Sequence, residues 1–386
     1  MTIFENAKVI LPDGMKDTCV AVSGGRITDI APRLEHEGAE LIDCGGDLLA
    51  PGFVDIHVHG GGGREAMEGS AEAVAQMCRA HLAHGSTSML PTVSAAPLEV
   101  MEKASAAIAE AMESGMAPNA RGTFLEGPFL SPAQAGAQLP ETLLTPADTD
   151  FEGFFGRCRE IRMIGAAPEL RGAFELGEYC AARGITVSAA HTDATMAQVE
   201  QAARHGFSDI THIYSGCSVM RRENGFRIPG VVEAGLLLDE LTVQVIGDLR
   251  HLPAELVRLV YKCCGADRIS LVTDALMFAG TELREGESYF QTNGLECVYE
   301  DGIMKMADRS GFCGSVATMD LLVRNMRSVG IPWVQVIRMA STTPARVAGL
   351  SRKGSIEKGK DADLVLLGEN VDIKGVWLSG ERRALT

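Results

Sequence analysis

The sequence predicts an α/β chain: a (β/α)8 TIM-like barrel with a small β domain formed by the N- and C-terminal segments. Three observations carry this. From residue 51 onward, short apolar runs alternate with helix-length segments, the rhythm of a parallel sheet with crossover helices. Eight such runs occur, the strand number of that barrel. Both chain ends have another texture, of short strand-like pieces separated by turn signals.

Residues 1–50 hold strand-like pieces at Ala7–Leu11, Thr18–Val22, Arg26–Ile30 and Glu40–Asp43, with Pro12-Asp13-Gly14 and Ser23-Gly24-Gly25 as turns. The eight barrel runs are Phe53–His57, Ser86–Thr92, Gly122–Leu125, Arg162–Ala166, Ile185–Ala189, Asp209–His212, Thr242–Ile246 and Ile269–Val272. Helical segments between them include Ala71–Ala83, Leu98–Glu113, Leu170–Ala182, Met196–Arg204 and Pro253–Cys263. Ser288–Met306 reads as a hairpin insert with Asn293-Gly294 and Asp301-Gly302 turns. Helices follow near Val316–Arg327 and Pro332–Ala340. Strand texture returns at Gly354–Glu357, Asp363–Leu367 and Val371–Leu378. The expected division is therefore 1–50 plus 354–386 for the small β domain and 51–353 for the barrel.

Composition bounds the function. The chain has 386 residues, 46% of them hydrophobic, enough for a large core. Its net charge of −16 argues against nucleic acid or anionic membrane as partner, since its field repels both. An anionic small substrate needs only a local basic patch. There is no apolar run of 18 residues or more, and the N-terminus has no charged head followed by an apolar core. None of the ten cysteines forms CxxC, so reduced buried thiols in a cytoplasmic protein are expected.

The chemistry starts at PGFVDIHVHGGGG, residues 51–63. His57 and His59 lie two apart on a strand, so they face the same way, about 6.6 Å apart along it. Later strand ends carry Glu126, His191, His212 and Asp274. In a parallel barrel all these ends meet on one rim, where active sites sit. One strand-end histidine or carboxylate is commonly a cap or turn residue. Six at matching ends make a metal centre, because imidazole nitrogen and carboxylate oxygen are ligands of Zn²⁺ and Fe²⁺. No HExxH helix is present. The residues therefore describe a metal hydrolase with Asp274 as proton carrier and Glu126 able to bridge two ions. His36, His81, His84 and His205 are expected to be solvated.

On these residues the chain resembles the N-acetylglucosamine-6-phosphate deacetylases of the amidohydrolase superfamily. The resemblance rests on PGFVDIHVHG, LEGPFLSP, AHTDAT, THIY, LVTDA, SGFCGSVATMDLLVRNM and GSIEKGKDADLVLL, and runs nearly end to end. It implies one ion held by Glu126, His191 and His212, and a second held by His57 and His59 with Glu126 as bridge. It makes Asp274 the catalytic aspartate and His251 a substrate-binding residue. It also implies a homodimer in which a loop arginine reaches the neighbouring site. Two motifs depart from the family. Gln138 stands where a histidine is usual, and Ser215-Gly216-Cys217 replaces Asn-Ala-Met. Gln138, Ser215, Gly216 and Arg227 are still expected at the substrate, with Arg227 gripping its phosphate alongside the nearby Arg221 and Arg222. The departures keep open an amidohydrolase acting on another N-acyl or cyclic amide, and a non-catalytic barrel that only binds.

Overall fold

The computed structural model describes residues 1–384. Eight parallel strands form the barrel: β1 (Phe53–Val58), β2 (Ser86–Ser94), β3 (Thr123–Glu126), β4 (Ile161–Ala166), β5 (Thr186–Ala189), β6 (Phe207–Ile210), β7 (Thr242–Ile246) and β8 (Ile269–Val272). They neighbour one another in sequence order. The ends meet through a parallel bridge between Val58, the last residue of β1, and Ala275, just past the C-terminal end of β8.

Each of β1 to β7 leads into a helix that packs its apolar stripe on the barrel. In Ala71–Ala83, Ser70 caps the first turn by accepting from Ala73 N, and Val74, Met77, Cys78, His81 and Leu82 are buried. Thr195 and Gln198 close a capping box on Met196–Arg204. Two further helices, Phe151–Arg157 and Val231–Leu237, lie in stretches where the sequence reading placed none. Both have only 7 residues, too short for a clear periodic signal.

The second large sheet joins both ends of the chain. Its order is Glu381–Arg383, Ile373–Leu378, Leu364–Leu367, Leu48–Pro51, Thr2–Leu11, Gly14–Ser23 and Arg26–Ala31, with Glu40–Asp43 also on Thr2–Leu11. The segment Leu48–Pro51 is the seam between the ends, parallel to Thr2–Leu11 and antiparallel to Leu364–Leu367. Phe4 and Trp377 meet edge to face inside this sheet's core, with centroids 4.9 Å apart. Gly52 then turns the chain into the barrel; a Cβ there would lie 2.1 Å from the Thr87 side chain. Gly354–Glu357, expected as a strand, is not one.

After β8 comes a four-stranded antiparallel sheet: Ser288–Phe290, Glu296–Glu300, Ile303–Met306 and Phe312–Gly314. It extends the expected insert by one strand, Phe312–Gly314, and stands over the C-terminal rim. No helix among the described residues is long and apolar enough to cross a membrane.

Candidate active site

The barrel brings the six strand-end residues together. His57 lies on β1 and His59 one residue beyond it; Glu126 ends β3. His191, His212 and Asp274 each sit two residues past β5, β6 and β8. These last three have φ of 41°, 23° and 48°, in or near the left-handed region that non-glycine residues rarely occupy. Such backbone persists only where surroundings fix it. At Asp274 they do: its N–H donates to His57 O at 2.9 Å, and its carbonyl accepts from Ser315 N at 2.9 Å. Thr273 is held by Asp55, whose Oδ2 accepts the Thr273 hydroxyl at 2.6 Å.

The donor atoms converge tightly. Glu126 Oε1 lies 2.9 Å from His212 Nε2, 3.2 Å from His191 Nε2 and 3.4 Å from His57 Nε2. Asp274 Oδ1 lies 3.2 Å from His59 Nε2 and 3.5 Å from His57 Nε2. Two sets each keep their ligand atoms within 4.8 Å: His57, Glu126 and His212, and His57, His59 and Asp274. The imidazoles are also held from behind. His191 and His212 turn Nδ1 to backbone carbonyls, Gln134 O at 2.8 Å and Ser215 O at 3.0 Å. His59 Nδ1 meets the Ser94 hydroxyl at 3.0 Å, and His57 Nδ1 meets Gln244 Oε1 at 3.0 Å. Pinned Nδ1 atoms with Nε2 atoms aimed at shared carboxylates are what a metal site of this donor chemistry requires.

The charges agree with the geometry. Burial opposes ionisation of Glu126, yet His57, His191 and His212 hold its carboxyl well below the usual range. Burial likewise works against Asp274, but His59 and the other imidazoles bring it down to about 2. In return, and against burial, Asp274 and Glu126 raise His59 to about 10. A field that draws protons this strongly also favours a divalent cation, which competes for the same lone pairs.

Above the donors lies a cavity of about 410 Å³. Gln138, Ser215, Gly216 and His251, the residues expected at the substrate, line it. A Cβ on Gly216 would sit 2.8 Å from His191 Nδ1, so glycine at this left-handed position (φ +56°) lets the loop close on the ligand. His251 Nδ1 stands 2.7 Å from Asp248 Oδ2. Burial lowers its pKa, but the Asp248 carboxylate outweighs burial and raises it. Gln138 is tied to the donor cluster: its Nε2 donates to Glu126 Oε2 at 2.8 Å, while Oε1 accepts from Ala95 N at 3.1 Å.

Arg227 is not brought to this cavity. The loop expected after His212 is a hairpin, Arg221–Glu223 paired with Phe226–Ile228, and Arg227 is exposed on its return strand. Arg221 pairs with Glu223 at 2.6 Å, and neither it nor Arg222 lines the cavity. Among the described residues no lysine or arginine lines it. His81 departs from expectation too. It is 1% exposed, with Nε2 donating to Gly60 O at 2.8 Å, and so supports the glycine turn after His59. Its position four residues after Met77 on a buried stripe was a signal for that. Gln244, Asp209 and Asp55 behind the site carried no such signal.

Residues 48–383 match the model of the amidohydrolase family. An N-acetylglucosamine-6-phosphate deacetylase of Bos taurus is 32% identical, over 98% of this chain and 94% of its own. An N-acetylgalactosamine-6-phosphate deacetylase of Escherichia coli O157:H7 is 29% identical, over 92% and 93%. The structure of N-acetylglucosamine-6-phosphate deacetylase from Pasteurella multocida superposes with a TM-score of 0.90 at 29% identity, covering 99% of each chain. The chain belongs to the amidohydrolase family and, within it, to the group named for N-acetylglucosamine-6-phosphate deacetylase.

Proposed function

We propose that the chain removes the acetyl group of an amino-sugar phosphate, N-acetylglucosamine 6-phosphate, releasing glucosamine 6-phosphate and acetate. One observation carries the reading. His57, His59, Glu126, His191, His212 and Asp274 converge under one cavity, in a chain similar end to end to deacetylases of this name. These six residues would hold one or two divalent ions, Zn or Fe. Bound there, such an ion supplies Lewis acidity toward an amide carbonyl and lowers the pKa of water.

The chain's own groups do the rest. Asp274, lowered to about 2, is a carboxylate at neutral pH and can accept a proton. It takes one from water as the oxygen bonds to the acetyl carbon, and passes it to the sugar nitrogen as the C–N bond breaks. Gln138, Ser215, Gly216 and His251 line the space where the sugar would sit. Arg227 would meet the phosphate from a neighbouring subunit, in a homodimer. Exposed Val219, Met220 and Phe226 on and beside its hairpin support such a contact. Ten free cysteines support a reducing compartment, the cytoplasm.

A second reading, an unphosphorylated N-acyl substrate, is favoured by the lack of lysine and arginine in the cavity lining among the described residues. Acetate release over N-acetylglucosamine and N-acetylgalactosamine, each with and without 6-phosphate, separates the two. Turnover confined to the phosphorylated gluco sugar is expected. No release from any member of the panel would sink the deacetylase.

A further inference from the structure

TIM-barrel interiors are usually filled by branched apolar side chains. Here a polar layer sits beneath the site. Residues Ser188 on β5, Asp209 on β6, and Thr242 and Gln244 on β7 are all buried. Strand register explains their meeting: Ser188 is paired with Asp209, and Asp209 with Thr242. Thr242 and Gln244, two apart on β7, face the same way. The chemistry proposed above uses none of these four.

Asp209 acts as the layer's acceptor. Its Oδ2 takes the Gln244 Nε2 donor at 2.7 Å and the Ser188 hydroxyl at 2.8 Å, and its Oδ1 takes the Thr242 hydroxyl at 2.5 Å. This decides which way Gln244 points. A flipped amide would set its oxygen against the carboxylate oxygen at the same short distance. With Nε2 on Asp209, Gln244 Oε1 faces His57 Nδ1 at 3.0 Å. An amide oxygen only accepts, so His57 must carry its proton on Nδ1. In the neutral ring Nε2 then presents a lone pair. His57 is the one residue common to both three-donor sets, so its tautomer bears on both. His191 and His212 obtain the same tautomer from backbone carbonyls. His57 obtains it from a side-chain relay.

We propose that Gln244, oriented by Asp209, is a positioning residue that fixes the His57 tautomer and thereby sets the affinity for an ion held by His57. This rests on the metal-centre reading above, and its test is read without turnover. The probe is Zn²⁺, titrated into metal-stripped protein against a chelator of known affinity. Gln244→Met keeps length and removes the acceptor. It should weaken Zn²⁺ binding by about 10- to 100-fold, the range for losing a partner behind a ligand. The exchange D209N/Q244E reverses donor and acceptor within the layer while keeping an acceptor oxygen at position 244 for the His57 Nδ1–H donor. It should return affinity close to that of the wild type. An unchanged Zn²⁺ affinity in Q244M overturns the inference, as does a folded exchange variant that binds no better than Q244M. If either variant does not fold, ¹⁵N shifts of the wild-type histidines decide: the Nδ1–H form at His57 is expected, and the Nε2–H form overturns the relay. A protein that binds Zn²⁺ as described yet releases no acetate refutes the deacetylase and leaves the relay standing. One that binds no Zn²⁺ refutes both.

Discussion

Gln138 donates to Glu126 Oε2 at 2.8 Å, and that oxygen lies 3.4 Å from His59 Nε2. The residue expected to touch substrate therefore also restrains the carboxylate at the centre of the donor cluster. A hydrogen bond to a charged group contributes about 1.5–3 kcal/mol, or about 10- to 100-fold. Gln138→Ala should lower kcat by roughly that factor with little change in KM, because Glu126 loses its restraint whether or not sugar is bound. Steady-state kinetics on the acetylated sugar phosphate check it. A rise in KM alone would confine Gln138 to substrate contact.

Asp274→Asn keeps the shape of the side chain and removes the proton acceptor. Loss of general acid–base help should cut kcat by about 10² to 10⁴. The fold should be kept, as far-UV circular dichroism would show, since the Asp274 backbone contacts to His57 and Ser315 do not involve the carboxylate. Near-normal acetate release from this variant would show that another group moves the proton.

Asp55 gives a pH-dependent expectation of stability. Burial raises it from 3.8 to about 6, despite the hydrogen bonds from Thr273 that favour its ionised form. A carboxyl with a raised pKa in the folded state favours folding below its unfolded value. That contribution is lost as pH rises through about 6. Wild type should therefore gain stability relative to Asp55→Asn as pH falls from about 6 to about 4, by about 2 kcal/mol. Urea unfolding of both metal-stripped proteins at two pH values measures the difference. A pH-independent gap would mean that Asp55 keeps an ordinary pKa.

The site was legible in the sequence where the barrel's own geometry reports on it. His57, Glu126, His191, His212 and Asp274 end apolar runs, and parallel strands bring such ends to one rim. The relay behind them was not. Gln244 is a single amide within Thr242–Ile246, and its partner Asp209 is 35 residues away. Nothing in spacing along the chain joins two residues that meet only across neighbouring strands. Arg227 shows the converse. Its motif is readable, but Asn224 and Gly225 close a hairpin that carries it outside the cavity.

Arg227 supplies the last expectation. If it grips the phosphate, Arg227→Ala should lower kcat/KM for the 6-phosphate by about 10- to 100-fold, the worth of a charged hydrogen bond. The unphosphorylated sugar should lose much less, since general damage would lower both. Because the arginine lies outside its own cavity, the homodimer proposed above would bring it from a neighbour. Mixed dimers test this directly. An R227A subunit has an intact donor cluster, and a D274N subunit has an intact arginine. Each variant alone should be nearly inactive on the phosphorylated sugar. Co-expressed and purified as a mixed dimer, they should recover activity, because the D274N subunit offers Arg227 to the R227A site. No recovery in a verified mixed dimer would leave the arginine serving only its own subunit or the solvated surface, and would shift phosphate recognition to His251 at the cavity wall.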